Sequence, residues 1–146
     1  MKGTQDFGIK YTQVDDFSLI GYFDSDFDGD KETGVSTSGY AMSLGSGVVS
    51  WRSHKQSVPT DSTKKAEYVE VSEATKAIVW HRKILEDLQV KQVQLTPLMI
   101  NNTLKINLAM NPKFHNPTKH INTKYHLIRH HVETKTIHLR HCSTNE

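Results

Sequence analysis

Hydrophobic and polar positions alternate in FSLIGYFDSDF (17–27), so that Leu19, Phe23 and Phe27 fall on one side of an extended backbone and Ile20, Tyr22, Asp24 and Asp26 on the other. That two-residue period predicts a β-strand. Two further stretches, 37–44 and 48–53, flank Gly45-Ser46-Gly47 and predict a hairpin. The period then changes. From about Ser62 to Leu88 the residues Val71, Ala74, Ala77, Ile78, Ile84, Leu85 and Leu88 form the apolar stripe of a long helix. LTPLMIN (95–101) is a short apolar run that reads as a buried strand, and 102–110 reads as a short helix ended by Asn111-Pro112. A further helix is expected over 118–134, and a last alternating strand over 136–141. The order βββαβααβ implies an α/β domain in which helices flank a mixed sheet. Residues 1–17 are polar and mixed and read as a lead-in.

Length and composition add limits. A chain of 146 residues is one domain with room for a core. Its 36% hydrophobic and 23% charged residues are an ordinary soluble balance, and a formal charge of +2 is too small to establish a nucleic-acid partner. Cys142 is the single cysteine, which excludes an internal disulfide and fits a reducing compartment. No apolar run approaches a membrane span, and the amino end lacks the apolar region of a signal peptide. The expectation is an intracellular protein, cytoplasmic or nuclear, with no membrane partner. Trp51 and Trp80 are expected to be packing residues, Trp51 in the core of a hairpin strand.

The carboxylates carry the candidate chemistry. In DSDFDGDKETGV (24–35), Asp24, Asp26, Asp28, Gly29 and Asp30 match the first positions of an EF-hand calcium loop. That loop also requires a bidentate glutamate where Val35 stands, and a helix where SLIGYF reads as a strand. Calcium is therefore the weaker reading. Glu67 lies four residues before Val71 and seven before Ala74, so the helix stripe carries a carboxylate near its amino end. A buried carboxylate is costly without a cation or a cleft. Asp24 and Asp26 on the first strand offer a meeting point for a metal held between strand and helix; the plainer alternative leaves Glu67 in solvent.

These stretches resemble the ribonuclease H domain of copia-type retrotransposon polyproteins. The likeness is carried by GYFDSDFDGD (21–30), STSGYAMSLG (36–45), SWRSHKQ (50–56), AEYVEVSEATKAIVWHRKILEDL (66–88) and NPKFHNPTKHINTKYHLIRHHVE (111–133), and it runs in order along nearly the whole chain. KGTQDFGIKY (2–11) resembles the end of the segment that joins reverse transcriptase to ribonuclease H. The resemblance implies a ribonuclease H-like fold over 18–146, truncated at its carboxyl end with the last helix missing, and a connection tail over 1–17. It implies a site for two Mg²⁺ (or Mn²⁺) ions, an RNA–DNA hybrid as substrate, and a reverse transcriptase domain in the parent polyprotein. One metal would activate the attacking water while both stabilise charge on the phosphorus and the leaving oxygen. Asp24 and Glu67 would be metal ligands and catalytic residues.

The chain also departs from that pattern. The family's third carboxylate falls in a run resembling CDNQSA; counted back from Asn111-Pro112, its place is taken by Asn101, within INNTLK. A carboxamide is neutral, and its N–H donates where a metal needs an acceptor. The family's fourth acid lies beyond STNE (143–146), where this sequence stops. Two of four expected ligands are thus absent, and the two-metal site reads as incomplete. The helix start is altered as well, STKKAEY standing for a pattern like STTEAEY. Lys65 cannot complete the capping box, and Lys64 and Lys65 oppose the helix dipole. Two readings follow: a metal-dependent nuclease impaired at Asn101, or a non-catalytic remnant that binds nucleic acid or has no activity.

Other side chains invite smaller claims. Trp51, Arg52, Lys55 and Gln56 could contact a nucleic-acid backbone. Lys119 and His120, with Thr118, could bind phosphate at a helix start, or simply begin the helix. His126, His130, His138, His141 and Cys142 could assemble a zinc site, although their spacing matches no zinc-finger signature and only His120 and His126 fall on histidines of the family pattern. Surface or cleft histidines are the plainer account.

Overall fold

The first alternating stretch becomes β1 (Leu19–Asp26), the middle strand of a five-stranded sheet. The computed structural model describes residues 7–26, 37–55, 63–101, 106 and 119–143, without the side chains of 25, 26, 63–68 and 119–121. β2 (Thr37–Leu44) and β3 (Gly47–Lys55) form the hairpin, and β4 (Thr96–Ile100) and β5 (Ile137–His141) complete the sheet in the order β3-β2-β1-β4-β5. β2 runs antiparallel to both neighbours, whereas β1–β4 and β4–β5 pair in parallel. β1, β3, β4 and β5 therefore share a direction, and their carboxyl ends line one edge of the sheet. The helix α1 (Thr63–Asp87) leads from the end of β3 to the start of β4. It must run back across the sheet, which sets its amino end at that same edge. α2 (Lys119–Glu133) ends where β5 begins. Of the short helix expected over 102–110, only Ile106 lies among the described residues, and it is helical.

Both helices cover one face. Leu19 and Phe23 of β1, Met42 of β2 and Leu98 and Ile100 of β4 are buried there with Val71, Ala74 and Ile78 of α1 and Ile128 of α2. Each of these side chains except that of Ala74 contributes roughly 1.5–3 kcal/mol on leaving water. The helix comes closest at Gly21, where a Cβ would lie 2.9 Å from Ile78 Cδ1 and 3.1 Å from Leu98 Cδ1. Ser72 and Thr75 are also buried on α1. Their hydroxyls donate to the carbonyls of Val69 and Val71, at 2.6 and 2.9 Å, so neither is left unsatisfied.

Three sequence expectations need correction. Leu88 lies beyond α1 and is 65% exposed. The helix stops because Gln89 takes φ 64°, Val90 N donates to Leu85 O and Gln89 N donates to Glu86 O, the paired bonds of a Schellman motif. α2 ends in the same way around Lys135 (φ 54°), with Thr136 N bonded to His131 O and Lys135 N to Val132 O. Neither turn carries the glycine that usually announces it. Trp80 is exposed and stands edge-on to His81 rather than packing in the core. Trp51 is exposed too, because it points to the face that no described helix covers.

The lead-in is attached rather than loose. Tyr11 Oη donates to Val48 O at 2.5 Å, Thr12 N donates to Ser46 Oγ and Ser46 Oγ donates back to Thr12 O, each at 2.9 Å. These contacts clasp it to the hairpin turn, where Gly45 takes φ 56°.

Arg82 organises the loop between α1 and β4. Its guanidinium donates to Gln92 O at 2.6 Å and to Gln94 O and Thr96 Oγ1 at 2.8 Å. Gln92 in turn accepts from Leu19 N at 2.8 Å and donates to Phe17 O at 2.9 Å. A lysine cannot fork in this way. Arg82→Lys is expected to lower stability by about 1.5–3 kcal/mol, read as a lower urea midpoint with an unchanged slope; a parental midpoint would show the fork to be dispensable.

Candidate functional site

Parallel pairing of β1 with β4 sets Phe23 opposite Ile100. The next residue on each strand, Asp24 and Asn101, then meets at the carboxyl edge of the sheet. Asn101 Nδ2 donates a hydrogen bond to Asp24 Oδ1. Asn101 Oδ1 is buried and has no hydrogen-bond partner among the described residues. The backbone here is tied to the neighbouring strand: Cys142 N donates to Ile100 O at 3.0 Å, and His141 Nε2 lies 3.2 Å from the Asn101 carbonyl oxygen.

Asp24 and Asn101 stand at the rim of a groove of about 540 Å³ on the helix-free face, lined also by Tyr22, Gly39, Trp51 and Met99. The pairing of Asp24 with Gly39, and of Gly39 with Ser53, carries that face across to β3. Trp51, Ser53 and Lys55 alternate onto it. Arg52 alternates away, onto the helix-covered face opposite Tyr40. Arg52 nevertheless lines the groove with Trp51, and Lys55 does not.

Glu67 belongs to the second turn of α1, at the edge where Asp24 and Asn101 meet; its side chain lies outside the described residues. So do Asp28, Asp30 and Gln56, and the side chains of Asp26, Lys119 and His120. Among the described residues no three histidine, cysteine, aspartate or glutamate side chains come together as a metal site. His126, His130, His138, His141 and Cys142 form no such group.

No family model matches the chain. It is 34% identical over all 146 residues to the retrovirus-related Pol polyprotein from transposon RE1 of Arabidopsis thaliana, of which it spans 10%. It is 34% identical over 128 residues, 88% of the chain, to the corresponding polyprotein from transposon TNT 1-94 of Nicotiana tabacum, again 10% of that protein. A secreted RxLR effector protein, number 161 of Plasmopara viticola, is 44% identical over 80 residues, 55% of this chain and 56% of its own. Among solved structures, LC11-RNase H1 superposes with a TM-score of 0.59 at 14% identity, covering 88% of this chain and 86% of that one. The same enzyme in complex with an RNA/DNA hybrid gives 0.55 over 88% and 87%. This chain is a ribonuclease H-like domain of a retrotransposon Pol polyprotein. It spans about a tenth of the length of the Pol relatives it matches. No helix among the described residues of the domain is long and apolar enough to cross a membrane.

Sequence reasoning passed over a second carboxylate in this ribonuclease H-like domain. Glu70 follows Glu67 by three residues and is buried at 7% exposure, with Oε1 3.1 Å from His54 Nε2 on β3. His54 Nδ1 is buried without a partner among the described residues. The argument that singled out Glu67 applies equally to Glu70, which directly precedes Val71 on the same stripe. Burial raises the Glu70 carboxyl above its ordinary value, against the opposing pull of His54 and Arg52. One turn on, Glu73 is held below its ordinary value by hydrogen bonds from Lys76 and from Lys124 of α2.

A carboxyl whose folded pKa is raised favours the folded state while it is protonated. That contribution is present below the unfolded pKa near 4.5 and is lost as pH rises through the higher folded value. The parent is therefore expected to lose stability relative to Glu70→Gln as pH is raised from about 4.5 towards neutrality. Thermal denaturation of both proteins across that range checks it, and parallel profiles would refute it.

Proposed function

We propose that this chain derives from an enzyme that hydrolyses the RNA strand of RNA–DNA hybrids, and that the hydrolytic step is impaired in it. Residues 1–17 form the joint to a reverse transcriptase domain in the parent polyprotein, and 18–146 form the nuclease-type domain. The observation that carries this reading is the contact between Asp24 and Asn101 at the carboxyl edge of the sheet, with α1 bringing the Glu67 backbone to the same edge. This is the meeting of first strand, fourth strand and first helix that the family resemblance implies, with a carboxamide in place of one carboxylate.

Two Mg²⁺ or Mn²⁺ ions supply the family chemistry by activating water and stabilising charge at phosphorus. Each prefers hard anionic oxygens. The described side chains at this contact do not fit two such ions. Asp24 is the one described carboxylate at the contact, and Asn101 turns an N–H towards it. No catalytic step is therefore assigned through a metal. What remains is a surface: a groove lined by Asp24, Asn101, Trp51 and Arg52, with Lys55 further along β3 on the face of Trp51. Lysine offers charge to a phosphate backbone and tryptophan a stacking surface. Binding of a hybrid without efficient cleavage is the function this arrangement supports best.

The test uses a labelled RNA–DNA hybrid with Mg²⁺ or Mn²⁺. The parent chain is expected to cleave no faster than Asp24→Asn, while fluorescence anisotropy registers hybrid binding that weakens in Trp51→Ala. Cleavage that disappears in Asp24→Asn would establish a working nuclease and overturn the impairment. Absence of any binding would leave a fold without this partner.

A further inference from the structure

We propose that the Asn101 carboxamide N–H occupies the position of a cation beside Asp24, so that this site is assembled by a hydrogen bond, without a divalent metal. The identification of the site rests on the reading above; the behaviour of its two side chains does not.

The orientation of the amide is decided by its surroundings. With Nδ2 towards Asp24, the carboxylate oxygen receives a donor, and the cost is one buried acceptor, Asn101 Oδ1, left without a partner among the described residues. Turned over, the group would set two acceptor oxygens against each other and bury a donor where no described residue offers an acceptor. Both changes are unfavourable unless a cation arrives between the oxygens. Orientation and cation are therefore alternatives: a metal that used both Asp24 and Asn101 would have to break the hydrogen bond and rotate the amide. The residue itself is not free to withdraw, because the backbone on either side is bonded to β5 through Cys142 N and His141. Strand pairing, and not a metal, holds position 101 against Asp24.

The consequence is specific to one functional group. In Asn101→Asp the same register would press a second carboxylate against the first. Two like charges in contact raise the energy of the folded state until a proton or a cation separates them. That variant should acquire a stability that depends on divalent metal, while the parent has none.

Thermal denaturation with increasing Mn²⁺ reads this directly. The parent midpoint is expected to stay flat. Asn101→Asp should start lower and rise by roughly 5–10 °C at Mn²⁺ about 100-fold above its dissociation constant. A metal-dependent rise in the parent that Asp24→Asn removes would overturn the proposal, as would an Asn101→Asp midpoint that ignores Mn²⁺. If Asn101→Asp does not fold, the parent alone decides. Its Asn101 side-chain NH₂ resonances should be insensitive to Mn²⁺ at millimolar concentration, and selective paramagnetic broadening of that pair would refute a carboxamide in the cation position. Both measurements use only protein and cation. Failure to bind or cleave a hybrid would undo the proposed function and leave this result standing.

Discussion

Parallel pairing between β1 and β4 is the constraint from which the site follows. These strands lie far apart in sequence, and a parallel pair cannot be closed by a tight turn, so a long crossover is required. α1 serves as that crossover and must be buried along one face to do so. Ile78, packed where Gly21 has no side chain, fixes how closely it approaches. The pairing register then leaves nothing to choose at the strand ends: Phe23 opposite Ile100 brings Asp24 to Asn101. A slip of one residue would send one of them to the other face. The site is a by-product of a register set by the hydrophobic core.

The parts of this fold that are legible in the sequence are those with a strong period. The alternation in 17–27, the hairpin glycines and the three-four spacing after Val71 each correspond to an observed element within a residue or two of its bounds. Exposure was harder to read. Trp51 looks like a core residue because it is large and lies in a strand, yet alternation gives it to the face without a described helix. Leu88 continues the apolar stripe by spacing alone, and the stripe ends one residue too early to include it. The turns at Gln89 and Lys135 use side chains that do not advertise a left-handed conformation. The fork of Arg82 onto the loop before β4 depends on where three backbone and hydroxyl oxygens meet, which no local pattern contains.

Among the site residues the same division holds. Asp24 and Asn101 could be singled out by resemblance, and their contact was not readable without the sheet. Glu70 and His54 come from separate elements, joined across the interface of α1 and β3. Two described carboxylates, Glu70 and Asp24, have partners that differ in kind. For Glu70 a histidine provides the compensation, at the expense of a buried ring nitrogen without a described partner. Beside Asp24 an amide provides it, at the expense of a buried carbonyl. At both points a side chain of the same domain meets the carboxylate, and one buried polar atom is left without a partner among the described residues.

The clasp of the lead-in onto the hairpin turn has a mechanical meaning. Tyr11 and Thr12 hold the chain at the end of the sheet where β1 starts, and Asp24 lies towards the other end, about 15–20 Å along the strand at its ordinary rise. A pull on the amino end is borne first by the turn between β2 and β3, loading the hairpin before the central strand. Strain entering along residues 7–12 is thus taken up away from the groove, before it reaches the Asp24–Asn101 contact.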